Sequence, residues 1–287
     1  MTLINSAIDQ KLFGGKVATV NDIEDFNKVL NNEEEEVKIT INDDIEITTE
    51  PIIIPEGKKV TLKMNGTEIS TNGTQAFIVD GEGAELVLEG GVIECDTHNG
   101  VIAQDGGKIT IKDTTLVNTD GNCLSSRGAG SQIIMNGGDV TAQEYGLIII
   151  DGGSAEINGG ALKGIDNFAL GGNGTAGRGG GNVTINGGRF EGHITSAGYI
   201  ATAIYWPNEG TLTINDAEIV SDGAGIVQRG GNVIIGENVR ITANGASGVT
   251  GKAGDSRVVV GPYAIVFDKY STYPAHENMT LTIADGA

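Results

Sequence analysis

The sequence has little of several things that define familiar protein classes. Its 287 residues include only 5 prolines and 2 cysteines, and aromatic residues make up 5% of the chain. No apolar run approaches the length of a membrane-spanning helix, so we expect no membrane insertion. Cys95 and Cys123 lie in different repeats at different phases, so we do not expect them to face each other. We predict two buried free thiols in a protein made in a reducing compartment.

Basic residues are scarce as well. The chain has 18 lysines and arginines against 38 aspartates and glutamates, which gives a formal net charge of −20. Such a surface repels nucleic acid and anionic membranes, so we expect neither as a partner. The 3 histidines, His98, His193 and His276, form no pair at metal-ligand spacing. We therefore predict no metal site and no cofactor.

Glycine, in contrast, is abundant. The chain contains 46 glycines, and 39% of its residues are hydrophobic. That apolar content is too high for a disordered chain, and the glycine content is too high for a helical one. The glycines do not follow a G-X-Y period, which excludes collagen. The composition therefore indicates an all-β protein with many turns.

A short motif recurs along the chain. The stretch VTINGGRF, at 183–190, has close relatives in LVLEGGVI, IIMNGGDV, AEINGGAL and LTINDAEI. The residues that follow its alternating strand stand 21 to 29 positions apart: Asn65, Glu89, Lys112, Asn136, Asn158, Asn186, Asn215 and Gly236. A second apolar run and a third short strand complete each unit. Such a period predicts a parallel β-helix of roughly ten coils, in which each strand pairs with its equivalent one unit later.

Asparagine recurs at one corner of the predicted coils. Stacked coils would place these side chains one above another, where amides form a hydrogen-bonded ladder. We predict such a ladder for Asn136, Asn158, Asn186 and Asn215. This structural role is preferred over a binding role for these residues.

Two units are oversized, at Gly171–Asn182 and Glu191–Thr202. Insertions of this kind form loops on one face of a solenoid, and that face often binds ligands. Aromatic residues gather close by, with polar neighbours suited to sugars. The candidate carbohydrate-binding residues are Tyr199, Tyr205, Trp206, Asn208 and Glu209. The alternative is that Tyr205 or Trp206 fills the core, or a subunit contact, where the coil widens.

The segment Thr19–Asn32 precedes the repeats and predicts a single amphipathic helix. Thr19 and Asp22 resemble a capping box at its start. Its apolar stripe, which gives the candidate assembly and anchor residues, consists of Val20, Ile23, Phe26 and Leu30. The stripe either caps the first coil or packs against copies of itself or a receptor protein. We divide the chain into an N-terminal helical anchor or cap at 1–36 and a β-helix at 37–287.

Two parts of the chain resemble known families. The stretch 37–69, with its IPEGK turn followed by VTLKMNG, resembles the first coil of pectin-lyase-like β-helices, and the likeness continues through the later coils. It implies a right-handed parallel β-helix. The residues ahead of it, including DFNKVL at 25–30, are similar to the N-terminal anchors of bacteriophage tailspikes and head fibres.

The second resemblance implies a virion structural protein, a head fibre or a tail spike or fibre. Such a protein is made in the host cytoplasm and attaches to a capsid or tail protein through residues 1–36. It forms a homotrimer and presents its rod to host-surface glycans. A bacterial surface adhesin built of the same coils is an alternative.

A polysaccharide-degrading tailspike, either a hydrolase or a lyase, is the other alternative. Galacturonan hydrolases of this fold carry NTD, DD, GHG and RIK on successive coils, and their paired carboxylates do acid–base work. Here NTD occurs at Asn118–Asp120 and GH at Gly192–His193, with no DD between them and no RIK after them. We therefore predict no catalytic residues in this chain. The enzyme alternative would place carboxylate pairs on the outer face between Glu191 and Glu209.

Overall fold

A computed structural model describes residues 16–193, 198–254 and 258–285. Residues 1–15, the first part of the predicted anchor, lie outside the described residues. Over these residues the protein is an all-β parallel solenoid of about ten turns with a single α-helix, which confirms the predicted fold class. The pairings between its described coils are parallel, as the repeat required.

The strands are short, and most have three to six residues. In chain order, the first sixteen are β1 (Lys16–Val20), β2 (Glu36–Ile41), β3 (Ile45–Ile47), β4 (Ile52–Ile54), β5 (Lys59–Lys63), β6 (Glu68–Thr71), β7 (Phe77–Asp80), β8 (Glu85–Glu89), β9 (Val92–Cys95), β10 (Asn99–Gln104), β11 (Lys108–Ile111), β12 (Thr115–Asn118), β13 (Asn122–Arg127), β14 (Gln132–Met135), β15 (Asp139–Ala142) and β16 (Leu147–Ile150). The others are β17 (Ser154–Ile157), β18 (Ala161–Gly164), β19 (Leu170–Gly172), β20 (Val183–Ile185), β21 (Arg189–Gly192), β22 (Thr202–Trp206), β23 (Thr211–Ser221), β24 (Ala224–Gln228), β25 (Asn232–Ala243), β26 (Thr250–Lys252), β27 (Val258–Val260), β28 (Tyr263–Phe267) and β29 (Thr280–Ile283).

The strands form two long sheets that run along the rod. The first sheet has 18 strands and the second has 9, from β4 to β28. Each complete coil contributes two segments to the first sheet and one to the second. In β23 and β25 the two first-sheet segments fuse into single strands of 11 and 12 residues. The hairpin β26–β27 is antiparallel and forms a separate sheet.

Alternation along each strand builds the interior. In β8, for example, Leu86 and Leu88 are buried while Glu85, Val87 and Glu89 lie partly exposed. The register places Leu86 beside Val60 on one side and Ile109 on the other. A strand of four or five residues is unstable alone, and it gains stability because these inward rows stack coil on coil.

The predicted asparagine ladder is confirmed. Asn158 Nδ2 donates to Asn136 Oδ1 at 2.9 Å, Asn186 Nδ2 to Asn158 Oδ1 at 2.8 Å, and Asn215 Nδ2 to Asn186 Oδ1 at 2.7 Å. The two middle amides, Asn158 and Asn186, each donate to the coil before and accept from the coil after. The ladder therefore fixes the register of one corner across four coils.

Replacing Asn186 with alanine should lower the free energy of unfolding by about 1 kcal/mol, because it removes two exposed amide hydrogen bonds. Asn136→Ala is the matched control, since it removes only the bond donated by Asn158 and should cost about half as much. Urea unfolding of the three proteins measures both values. Equal stability of Asn186→Ala and the wild type would contradict a structural role for the ladder.

The helix α1 (Ile23–Leu30) is shorter than expected and begins later. Asp22 is its N-cap, and its side chain accepts a hydrogen bond from the Asp25 N–H at 2.8 Å. The predicted start at Thr19 is wrong, because Thr19 lies in β1, which pairs in parallel with β2. At Thr19, the backbone pairing of β1 with the edge of the first sheet outweighs the local helix-capping signal.

The apolar stripe of this segment packs against the first coils. Val20, Phe26 and Leu30 are buried, and Ile23 packs against the same core. The ring of Phe26 lies 6.2 Å from that of Phe77. Residues 16–36 therefore cover the first coil, which is the first of the two roles expected for the stripe.

Lys58 links the cap formed by residues 16–36 to the solenoid through hydrogen bonds. Lys58 is only 7% exposed, and its ammonium group donates to Asn32 O at 3.0 Å, Asn32 Oδ1 at 3.2 Å and Glu34 O at 2.5 Å. Burial lowers the pKa of Lys58. The connection that follows α1 is thus held by a cation from the next coil.

Both cysteines are free and buried, as predicted. Burial raises the pKa of Cys95 to about 11, and it also raises the pKa of Cys123 well above its ordinary value. The Cys95 thiol also raises the pKa of Cys123, but less than burial does. Gly100 packs against both residues, since a Cβ there would meet Cys95 Sγ at 3.2 Å and the backbone oxygen of Cys123 at 2.9 Å.

Neither thiol should react with a disulfide reagent in the native protein at about pH 8, because the thiolate is the reactive form. Both should react within the dead time once the chain is unfolded in denaturant. A colorimetric thiol assay with and without denaturant makes the comparison. Rapid labelling of either cysteine in the native state would contradict this assignment.

The long connections between strands do not all lie on one side of the solenoid. The expectation that the oversized units form loops on a single face is therefore wrong. Residues 173–182 join β19 to β20, whereas residues 193–201 join β21 to β22 at a different corner. A third long connection, 244–262, carries the β26–β27 hairpin and follows that second corner. Together the long connections bury β22 and β24 along their whole length.

The last coil leaves apolar groups on the surface. Val258, Val260, Tyr263, Phe267 and Ile283 are all exposed. In the described residues, β28 pairs only with β24 and β29 only with β25. This edge differs from the first coil, which β1 and α1 cover.

Candidate functional site

The aromatic residues singled out from the sequence do not form an open sugar platform. Trp206 is 0% exposed and Tyr205 is 2% exposed. A stacking platform must offer a ring face to solvent, and neither ring does. Trp206 fills the solenoid core, whereas Tyr205 is buried in a second apolar cluster. Trp206 points into the solenoid, in the row occupied by Ile149 and Gln228 in other coils.

The other three residues predicted to bind carbohydrate do not form one site. Asn208 is 0% exposed, and a Cβ on Gly172 would meet its amide oxygen at 2.2 Å, so it packs inside the turn. Glu209 is exposed beside it. Tyr199 is partly exposed and lies on the long connection before β22, where its backbone bridges to Lys252. Tyr199 also lines a concave surface.

That surface is a groove, here called the corner groove, along the corner between the first and second sheets. It has a volume of about 430 Å³ and is open to solvent. Its lining includes Asp120, Gln143, Glu144, Tyr145, Asp166 and Tyr199. These residues come from four successive coils, so the groove runs along the rod.

The repeat places the acidic residues of the groove. Asp120, Glu144 and Asp166 each stand two residues after the end of a first-sheet strand, β12, β15 and β18 in turn. Backbone bonds stack these turns: Glu144 N donates to Gly121 O at 3.1 Å, and Asp166 N donates to Gln143 O at 2.8 Å. The side chain of Gln143 also donates to Asp166. The carboxylates therefore form a row with one member per coil.

Aromatic packing supports the wall of the groove. Tyr145 meets the edge of Phe168 at 5.2 Å between ring centroids, and Phe168 stacks on Tyr205 at 4.7 Å. Tyr205 Oη donates to Tyr273 Oη at 3.2 Å. Phe168 and Tyr205 belong to a second apolar cluster outside the solenoid interior, against which Tyr145 and Tyr273 pack. Tyr205 thus supports the groove from behind.

Sequence reasoning missed this groove, although a signal was present. Aligning the coils on their strands places TDG (119–121), QEY (143–145) and IDN (165–167) at one corner, each with a carboxylate at the middle position. The aromatic cluster drew attention to a later coil. Only Tyr199 is shared between the predicted site and the observed groove.

A charged cluster lies on the outer face of the first sheet, near the region where the enzyme alternative expected carboxylates. Arg189 pairs with Glu191, and with Glu218 at 2.5 Å. The ring nitrogens of His193 lie 2.8 Å from Asp222 Oδ2 and 3.3 Å from Glu191 Oε2. Arg189, and then His193, hold the pKa of Glu191 below its ordinary value. A general acid needs a raised pKa, so Glu191 is poorly suited to that role.

The NTD and GH motifs are far apart in the fold. The register aligns Asn118 with Gly192 through Ala142 and Gly164, three coils later. At the spacing of parallel strands this separation is about 14 Å. Carboxyl groups that act on one glycosidic bond lie about 5–9.5 Å apart, so these motifs do not form a joint site.

Glu191 should contribute stability that depends on pH. Because its folded pKa is lowered, the contribution is present above about pH 4.5 and is lost as the pH falls through the folded pKa. Glu191→Gln should therefore be less stable than the wild type by up to about 1 kcal/mol near pH 7. The difference should shrink as the pH falls below about 4.5 and the carboxylate becomes protonated.

Thermal melts at several pH values test this prediction, with Glu94→Gln as the control. Glu94 is exposed on β9, several coils earlier in the same sheet, and its replacement should have little effect at any of these values. A stability difference for Glu191→Gln that persists unchanged in acid would contradict the ion-pair assignment.

Two further structural observations concern the described residues alone. They contain no group of three or more His, Cys, Asp or Glu side chains placed to hold a metal ion. No helix in this part of the chain has both the length and the apolar character to cross a membrane.

Fold and groove together define a class of protein: a parallel β-solenoid with an open, polar and aromatic groove along one corner. Residues 17–149 match the model of a family described as "Putative pectate lyase-like adhesive domain". The match covers a little under half of the chain and includes Asp120, Glu144 and Tyr145 of the groove. No curated protein and no solved structure matches the chain.

Proposed function

We propose that this chain is an adhesive rod that binds a surface polysaccharide in the corner groove. The observation that carries the proposal is the groove itself, an open concavity of about 430 Å³ whose lining includes two tyrosines, two side-chain amides and three carboxylates. Binding sites for small ligands combine such concavity with a few convergent polar groups. The adhesive description of the matching family supports the same proposal.

The shape of the groove suits a polymer. Its lining residues repeat from coil to coil, at a spacing of about 4.8 Å for parallel strands. An extended glycan lying along the rod would meet equivalent groups at each coil. Binding does not require chain cleavage, and the ion-paired Glu191 cluster lies outside the groove lining.

We further propose that the rod is carried by a bacteriophage particle as a fibre or spike, as a homotrimer made in the host cytoplasm and displayed on the virion. The similarity of DFNKVL to phage head fibres supports this setting. Attachment to a capsid or tail protein would then use residues 1–36, whose Glu33–Glu36 run is exposed. A bacterial cell surface is the alternative carrier, and it calls for the same adhesive groove.

Retention of the full chain on immobilised bacterial surface polysaccharides tests the adhesive function. We expect the wild type to be retained and Tyr199→Ala to bind about tenfold more weakly, because it removes a ring face from the groove. Tyr263→Ala is the matched control: Tyr263 is 54% exposed but lies on the last coil, outside the groove lining. Equal losses for both variants, or no retention of the wild type, would contradict the proposal.

A further inference from the structure

The last coil presents interior residues of the solenoid on its surface. In β28, Tyr263, Ile265 and Phe267 continue the inward rows of β24, a strand whose side chains are buried along its whole length. Tyr263 and Phe267 are nevertheless about half exposed. Ile283 continues the inward row of Ile235 in the first sheet and is about half exposed as well. The face of this coil therefore shows core side chains to solvent.

The backbone of the same coil is open too. Among the described residues, β28 pairs only with β24 and β29 only with β25, so one side of each strand has no strand partner. An edge strand of this kind is a template for pairing with a strand of another chain. Solenoids cap their outer coils because an uncovered coil combines such an edge with exposed core.

The charge distribution favours contact at this face between two copies of an acidic protein. An apolar concavity of about 430 Å³ lies beside β28, and Val258 and Val260 line it together with Tyr263 and Phe267. The strand itself, YAIVF, carries no charged residue. Two rods that meet through their last coils also keep most of their charge farther apart than the Debye length of about 8 Å at physiological salt.

We propose that two copies of this chain dock through their last coils, with β28 of each copy pairing antiparallel with β28 of the other. A two-fold axis through Ile265 pairs the strand over its full length and sets Tyr263 of each copy opposite Phe267 of the other. The inward side chains then stay on the inward face in both copies, so the contact joins the two cores. This surface lies outside the lining of the corner groove and goes beyond the proposed function.

The area available suits a reversible contact. The exposed apolar side chains of this face offer about 400–500 Å² in each copy: Val258, Val260, Tyr263, Phe267 and Ile283. Two facing copies would bury nearly twice that area, which is close to the lower limit of about 1,000 Å² for a specific interface. We therefore expect a dissociation constant in the micromolar range.

Sedimentation velocity of the full chain from about 1 to 200 µM, a range that brackets such a dissociation constant, tests the contact. The mass of the particle should double across this range, whatever number of chains the starting particle holds. Phe267→Glu places a carboxylate opposite Tyr263 of the second copy and should weaken the association at least about tenfold. Ile234→Glu is the matched control, because it adds the same charge to an exposed isoleucine on the outer face of β25 and should leave the association unchanged.

A particle mass that stays fixed over the whole range would leave this face to a partner other than a second copy and would overturn the proposal. Equal weakening by Phe267→Glu and Ile234→Glu would do the same, since it would show general charge repulsion.

A cross-link tests the register without relying on the stability of Phe267→Glu. Residues directly opposite each other in antiparallel strands have Cα atoms about 4.5–5.5 Å apart, which a disulfide can span. Ile265→Cys should therefore form covalent pairs of chains under mild oxidation, and Ile234→Cys should not. The native thiols Cys95 and Cys123 are buried and do not compete. Absence of covalent pairs in Ile265→Cys, or equal amounts in both variants, would contradict the proposed contact.

Discussion

Replacing Phe26 with alanine is expected to lower the free energy of unfolding by about 3–5 kcal/mol, the usual cost of removing a fully buried aromatic side chain. Phe26 is 0% exposed and contacts Phe77, so it joins α1 to the interior of the first coils. In a solenoid each coil contacts mainly its neighbours, so the loss should be concentrated at that end. Hydrogen exchange should increase most over residues 23–41.

Ile53→Ala is the control for this variant. Ile53 is an exposed apolar residue of β4, and its truncation should change stability by less than about 0.5 kcal/mol. Chemical denaturation of the two variants and the wild type gives the comparison. If Phe26→Ala were as stable as Ile53→Ala, the stripe of α1 would not be a structural cap, and an intermolecular role for Phe26 would have to be considered again.

Trp206→Ala should have an effect of similar size, about 3–5 kcal/mol, because it empties a fully buried site in the interior row of the second sheet. Trp206→Phe should cost clearly less. It keeps an aromatic ring, and Trp206 Nε1 has no hydrogen-bond partner among the described residues, so no hydrogen bond is lost. Since Trp206 is the sole tryptophan, its fluorescence in the wild type should be that of a buried indole and should resist aqueous quenchers.

This prediction also separates the two roles considered for Trp206. A core residue loses stability on truncation, whereas a sugar platform loses binding and keeps its stability. Strong quenching of the native fluorescence, or full stability of Trp206→Ala, would favour the platform and contradict the buried position.

The sequence was most informative where the repeat acts directly. Alternating strands, NGG turns and the recurring asparagine predicted the coils and the ladder from Asn136 to Asn215, because each depends on neighbours at a fixed period. The helix start was misplaced, since the pairing of β1 with β2 is a long-range contact that local capping signals do not report. The burial of Trp206 likewise depends on segments distant in sequence, which pack over β22 and β24. The residues next to Trp206 in the sequence do not indicate that packing.

In the corner groove, too, some features follow the repeat and others depend on long-range contacts. Its carboxylate row follows the repeat and could have been found by aligning the turns after β12, β15 and β18. Its other wall includes Tyr199, which lies on the long connection after β21 and bridges to Lys252. Loop placement of this kind depends on tertiary contacts rather than on period.

Hydrogen exchange with and without a bound glycan tests the central claim most directly. The full chain would be compared alone and with an oligosaccharide prepared from the polysaccharide that retains it. Glycan binding in the corner groove predicts slower exchange at 119–122, 143–146, 166–168 and 199–201, and little change on the outer face of the first sheet. Protection confined to β21 and His193 or to the last coil, with the groove unchanged, would contradict it.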